Sequence, residues 1–146
     1  LRLLCHKPFS KINLNSETVL TPHPGEAAEM LKVSVKDIQK NRIESAKALQ
    51  KKYGCIIILK GNGTIICNKH DIYLCSSGGP ELAVAGSGDI LSGIIGSLIA
   101  QGLTPFDAAK TGVVIHSLAG EDFANDVGKI GLAAGELIPY IRKFLN

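Results

Sequence analysis

The run Cys55-Ile56-Ile57-Ile58-Leu59 contains no polar residue and shows no alternation. A strand with one wet face alternates apolar and polar side chains, whereas a strand covered on both faces reads as an unbroken, largely β-branched stretch. The run therefore predicts a central strand of a parallel sheet, and a chain of the α/β class in which helices cover that sheet. Composition agrees, because 146 residues with 45% hydrophobic and 20% charged content suffice for one packed domain and lie far from the disordered class.

The neighbouring elements follow from punctuation. Thr18-Val19-Leu20 is a short apolar run ending in Thr21-Pro22-His23-Pro24-Gly25, where the prolines bar regular helix until Pro24, an acceptable first helical residue for GEAAEML. Ser34 with Asp37 three places on is a capping arrangement, and Val35, Ile38, Ile43, Ala46 and Leu49 give one helical stripe up to Tyr53, with Gly54 as the stop. Lys60-Gly61-Asn62-Gly63-Thr64 ends the apolar strand, and TIIC and DIYLCS flank Asn68-Lys69-His70 as a hairpin. A helix is expected from Asp89 to Ala100. Gly102 then stops it, and Thr104-Pro105-Phe106-Asp107 starts another that runs to about Asp126 with Phe106, Ala109, Val113 and Leu118 on its apolar face. A last helix spans Leu132 to Phe144, kinked or restarted at Pro139.

Charge and cysteine usage exclude several classes. The net charge of +3 comes from scattered Lys and Arg that alternate with acids between Lys36 and Lys52, a solvated face rather than a nucleic-acid footprint. The apolar segment after Asp89 is interrupted by Ser92, Gly93, Gly96, Ser97 and Gln101, which suits a protein core better than a membrane span. Cys5, Cys55, Cys67 and Cys75 lack metal-site spacing and are read as reduced thiols of a cytoplasmic protein, although Cys67 and Cys75 could face one another across the hairpin. The start LRLLCHKPFS has neither Met nor a signal pattern, so the chain is expected to be a piece of something longer.

Chemistry concentrates in AVAGSGDILSG. Gly86-Ser87-Gly88-Asp89 opens a helix, where unpaired amides and the positive end of the helix dipole suit a phosphoryl group, and Gly86 and Gly88 let the backbone approach it closely. A carboxylate there is placed to take a proton from a hydroxyl attacking phosphorus. Asp89 could equally serve only as a cap. His23, wedged between prolines, is a rigidly presented imidazole or a structural turn residue. Lys60 leaves the C-terminal end of a buried strand, where open α/β sheets bind ligands, with Gly61 and Gly63 permitting close approach; an ordinary glycine turn reads the same way. His116 is expected to be a packed, hydrogen-bonded core residue. Glu121 and Asp122 are read as surface charges, and Glu26 as a first-turn charge favoured by the helix dipole.

Taken together and in register, VLTPHPGEAAEML, ILKGNGTII and AGSGDILSGIIGSLIAQGL resemble the ADP/ATP-dependent NAD(P)H-hydrate dehydratases of the ribokinase-like superfamily. The resemblance covers Thr18 to Asn146 and is weak over residues 1–17; its most specific piece is TPHPGE. It implies a three-layer α/β/α fold of which residues 1–146 are the C-terminal half. It also implies a nucleotide-dependent lyase that restores NADH or NADPH from NADHX or NADPHX, with Mg²⁺ and with ADP or ATP as co-substrate. By the same resemblance His23 contacts the hydrated nicotinamide nucleotide, and Lys60, Gly61, Asn62, Gly63, Thr64 and Gly88 bind the nucleotide. Asp89 meets the substrate as catalytic base, beside an anion hole at Gly86, Ser87 and Gly88. A homo-oligomer, or association with an absent N-terminal half, is expected. Ser77-Gly78-Gly79-Pro80-Glu81-Leu82-Ala83 departs from the family pattern, which has an Asn-Pro pair and a small residue there. Two other readings stay open: a small-molecule kinase of the same superfamily, and an inactive fragment or split-gene remnant.

Overall fold

The structure is a computed structural model that describes residues 1–6, 12 and 14–145. It divides into two compact units, residues 1–74 and residues 75–146. In the first, strand β1 (Val19–Leu20) leads through the proline turn into α1 (Pro24–Leu31), followed by α2 (Val35–Lys40), α3 (Arg42–Tyr53), β2 (Ile56–Leu59) and β3 (Thr64–Cys67). Strand β4 (Ile72–Cys75) completes a sheet of order β1-β2-β3-β4.

Every residue of β2 is buried, as its unbroken apolar run predicts, and β2 lies between two neighbours. The sheet is nevertheless mixed rather than parallel. Val19 and Leu20 pair in parallel with Ile56 and Ile57, but β3 runs antiparallel to β2, with Ile57 opposite Cys67 and Leu59 opposite Ile65. The reason is the connection: the few residues between Leu59 and Thr64 suffice for a hairpin, while a parallel crossover needs a dozen or more. One face of the sheet carries Ile57, Leu59, Ile65 and Cys67 into a core with Ala27, Met30, Ile38, Ala46 and Leu49 from the helices. Each fully buried Ile or Leu contributes roughly 1.5–3 kcal/mol. Asn68 closes the turn before β4, its Oδ1 accepting from the amides of His70 and Asp71 at 2.7 and 2.6 Å.

The single helix expected from Ser34 to Tyr53 is two helices. Asn41, a weak helix former, adopts φ −135° and ψ 56° and ends α2 as it begins α3. Ile38, Ala46 and Leu49 are buried as the stripe requires, but Val35 and Ile43 are exposed on either side of the break. Ser34 caps α2 with Asp37 as the sequence indicates.

The second unit contains α4 (Ser87–Ala100), α5 (Pro105–Asp126) and α6 (Leu137–Leu145). Helix α4 starts two residues before Asp89, so Asp89 lies inside its first turn rather than at its head. On α5, Ala109 and Val113 are buried as expected, Phe106 and Leu118 only partly, and the inward face is completed by small residues such as Ala108, Gly112 and Ala119. Thr104 caps α5, its Oγ1 accepting from the Asp107 amide at 3.2 Å. Helix α6 begins at Leu137 after a 3₁₀ turn (Ala134–Glu136), later than the predicted Leu132, and Pro139 sits in its first turn, where a missing N–H leaves no helical bond unmade.

Cys55, Cys67 and Cys75 are buried and all four cysteines are free thiols. Burial pushes the Cys55 thiol up to about 11 from an ordinary value of 9.0. Its neutral form is favoured in the fold, so the stability it confers is present at neutral pH and falls as pH rises from about 9 towards 11. Cys55 is expected to resist iodoacetamide at pH 8 until the chain is denatured; rapid alkylation of the native protein at Cys55 would contradict this.

Candidate functional site

The backbone brings the two motifs of the first unit together. The Lys60 amide donates to the Pro22 carbonyl at 2.9 Å, extending the β1/β2 pairing by one bond, so TPHPGE and KGNGT leave adjacent strands side by side. His23 is the N-cap of α1. Its Nδ1 accepts from the amides of Gly25 and Glu26 at 3.0 and 3.2 Å, and Glu26 Oε2 accepts in return from the His23 amide at 2.9 Å. Glu26 is therefore more than a dipole-favoured charge; it closes a capping box.

KGNGT is the β2/β3 hairpin loop. Lys60 is half-buried, Gly61 and Asn62 are exposed, and Thr64 Oγ1 donates to the Gly61 carbonyl at 3.1 Å. The loop is shaped by a residue that sequence reading missed. Arg42, at the start of α3, donates through Nη2 to the carbonyls of Leu59 at 3.2 Å and Gly63 at 2.9 Å, and through Nη1 to Gln39 Oε1 at 2.9 Å; both nitrogens lie 3.4 Å from the Lys60 carbonyl. Burial draws the guanidinium pKa down, a desolvation cost that these charge-assisted bonds offset. Nothing in local spacing points to Arg42, because its carbonyl partners lie 17 to 21 residues away and only strand pairing brings them near.

In the second unit the glycine loop is built on α5. Gly86 caps α4 with φ +84°, a left-handed conformation that glycine adopts without strain. Ser87 is buried: its Oγ lies 3.0 Å from His116 Nε2, the same nitrogen is 3.1 Å from the Ser87 carbonyl, and the Ser87 amide donates to the Val84 carbonyl at 3.3 Å. His116 is thus the packed core histidine expected, and it pins the start of α4. The Asp89 amide is turned back to the Gly86 carbonyl at 3.0 Å. Among the described residues the amides of Gly86 and Gly88 have no such bond, and the Asp89 side chain is exposed. Of the three anion-hole candidates, Gly86 and Gly88 therefore offer open donors, whereas Ser87 has both its amide and its hydroxyl engaged inward.

The loop before α4 is also tied down. Glu121 Oε1 accepts from the Gly78 amide and Glu81 Oε1 from the Gly79 amide, both at 2.7 Å. Glu81 is buried and Glu121 half-buried, so Glu121 is not the surface charge the sequence suggested; a neighbouring glycine loop supplies the amide that draws it in. A cavity of about 430 Å³ beside α6, lined by residues including Phe123, Asp126, Tyr140 and Lys143, contains none of the candidate site residues.

Strands and helices of this kind make an α/β protein, and similarity to solved structures identifies its fold as ribokinase-like. The ADP/ATP-dependent NAD(P)H-hydrate dehydratase from Bacillus subtilis, co-crystallised with ATP/Mg²⁺ and soaked with CoA, superposes with a TM-score of 0.83 at 34% identity, over 87% of this chain and 47% of that one. A sequence model described as NAD(P)H-hydrate dehydratase matches residues 3–143, and the chain belongs to that family. It is 42% identical, over its whole length, to 29% of a bifunctional NAD(P)H-hydrate repair enzyme from Coxiella burnetii. It is 41% identical, over 88% of its length, to 44% of an ADP-dependent (S)-NAD(P)H-hydrate dehydratase from Neisseria meningitidis. The chain thus spans less than half the length of these relatives. No helix among the described residues is long and apolar enough to cross a membrane.

Proposed function

We propose that this chain carries the phosphoryl-transfer half of a nucleotide-dependent NAD(P)H-hydrate dehydratase. The observation that carries the reading is the exposed Asp89 carboxylate in the first turn of α4, next to the open amides of Gly86 and Gly88. Asp89 takes the proton from the C6 hydroxyl of the hydrated nicotinamide ring as that oxygen attacks the terminal phosphorus of ADP or ATP. The bond from phosphorus to the bridging oxygen breaks, leaving AMP or ADP. The C6–O bond then breaks, inorganic phosphate departs with the oxygen, and release of a proton from C5 to solvent restores the ring double bond of NADH or NADPH. The Gly86 and Gly88 amides stabilise negative charge on the transferred group. Lys60 to Thr64 hold the nucleotide and His23 the hydrated ring.

Among the described residues no three His, Cys, Asp or Glu side chains gather to hold a metal ion. Mg²⁺ bound with the nucleotide would neutralise phosphate charge. A kinase of the same fold would stop at the phosphorylated alcohol. With the intact protein, ADP or ATP and NADHX, inorganic phosphate is expected to appear in step with absorbance of the restored dihydronicotinamide; a phosphorylated alcohol that accumulates without it would reject the dehydratase reading.

A further inference from the structure

The four residues His23, Pro24, Gly25 and Glu26 form one device around a single ring. Backbone amides only donate, so the two that point at His23 Nδ1 require that nitrogen to carry a lone pair, and the ring proton of the neutral imidazole must be on Nε2. Glu26 strengthens that choice, since its Oε2 stands 3.5 Å from Nε2 and favours a proton there. Gly25 makes room: a Cβ at this position would come 2.9 Å from the ring Cε1 and 3.1 Å from Nδ1, so any side chain would displace the imidazole. Pro24 fixes the backbone at the first helical position. Nε2 belongs to a side chain that remains 49% exposed, so the locked proton is available to a ligand.

We infer that His23 is a tautomer-locked hydrogen-bond donor whose Nε2–H recognises an uncharged oxygen acceptor, a carboxamide or hydroxyl, with Glu26 and Gly25 as positioning residues. The Glu26 carboxylate beside Nε2 disfavours phosphate at the same spot, so the contact selects the neutral part of a dinucleotide over its phosphates. The donor role rests on the proposed function, in which His23 meets the hydrated ring; the tautomer does not.

Long-range ¹H–¹⁵N spectra of the intact protein at neutral pH are expected to show His23 as the Nε2–H tautomer; an Nδ1–H ring would overturn the lock whatever the enzyme does. His23→Asn separates capping from recognition, because Asn caps helices well through Oδ1 but its shorter amide does not reach the position of Nε2–H. It should keep melting temperature and nucleotide affinity while raising KM for the hydrated dinucleotide about tenfold, the loss of one hydrogen bond. Gly25→Ala should raise KM likewise with His23 still present, and should also lower the melting temperature because the displaced ring no longer caps α1. An unchanged KM in His23→Asn would overturn the donor role. Failure of the wild-type protein to dehydrate NADHX would instead reject the proposed function, and the spectra would still decide the lock.

Discussion

Asp89→Asn in the intact enzyme is expected to lower kcat by about 10²- to 10⁴-fold while leaving nucleotide affinity close to that of the wild type. The size follows from the role: a positioned base contributes that much, and Asn is nearly isosteric but cannot accept the proton. Nucleotide affinity should hold because the donors proposed to face phosphate are the main-chain amides of Gly86 and Gly88, which the substitution leaves alone. The Asp89 carboxylate is exposed, and only its main-chain amide bonds back into the glycine loop, so the fold should survive. Single-turnover measurement of phosphoryl transfer, paired with calorimetric titration of ADP, separates the two quantities. Near-normal turnover would remove Asp89 from the chemistry.

Arg42→Met is expected to cost about 2–3 kcal/mol of stability and to weaken nucleotide binding roughly tenfold, although Arg42 touches no proposed ligand. The substitution keeps much of the apolar stem and deletes the donors to the carbonyls of Leu59 and Gly63. Partly buried carbonyls then lose their partners and the hairpin loop loses the anchor that holds its shape. Arg42→Lys should rescue little, since one compact ammonium cannot reproduce a planar fork that reaches separate acceptors. Denaturant unfolding and titration of ADP would test both effects, and wild-type values for both in Arg42→Met would show the clamp to be incidental.

What the sequence revealed and what it hid divide along a physical line. Features decided within a few residues were legible: the buried strand at Ile56–Leu59, the caps at Ser34 and Thr104, the stop at Gly54 and the turn at Asn68. The break at Asn41 was missed because a continuous apolar stripe masked a backbone change that only one weak helix former signals. The antiparallel direction of β3 was missed because an unbroken apolar run measures burial, which does not depend on strand direction. In the candidate site, the loops themselves stood out through glycine, proline and a lone acid. Their supports did not. Arg42 behind one loop and Glu121 behind the other act across long stretches of chain and look in sequence like ordinary helix residues, whereas His116 was legible as a packed core histidine.

The ladders that join β2 to both neighbours set unequal rules for change along this stretch. One extra residue within residues 56–59 would turn Ile57 and Leu59 away from the helices that cover them, because successive strand side chains point to opposite faces. An extra residue at Asn62 would only lengthen an exposed bend whose two ends stay tethered, at Lys60 to the Pro22 carbonyl and at Gly63 to Arg42. Strand pairing by itself therefore leaves the length of the hairpin tip open, while a few positions upstream the count of residues is held fixed by geometry.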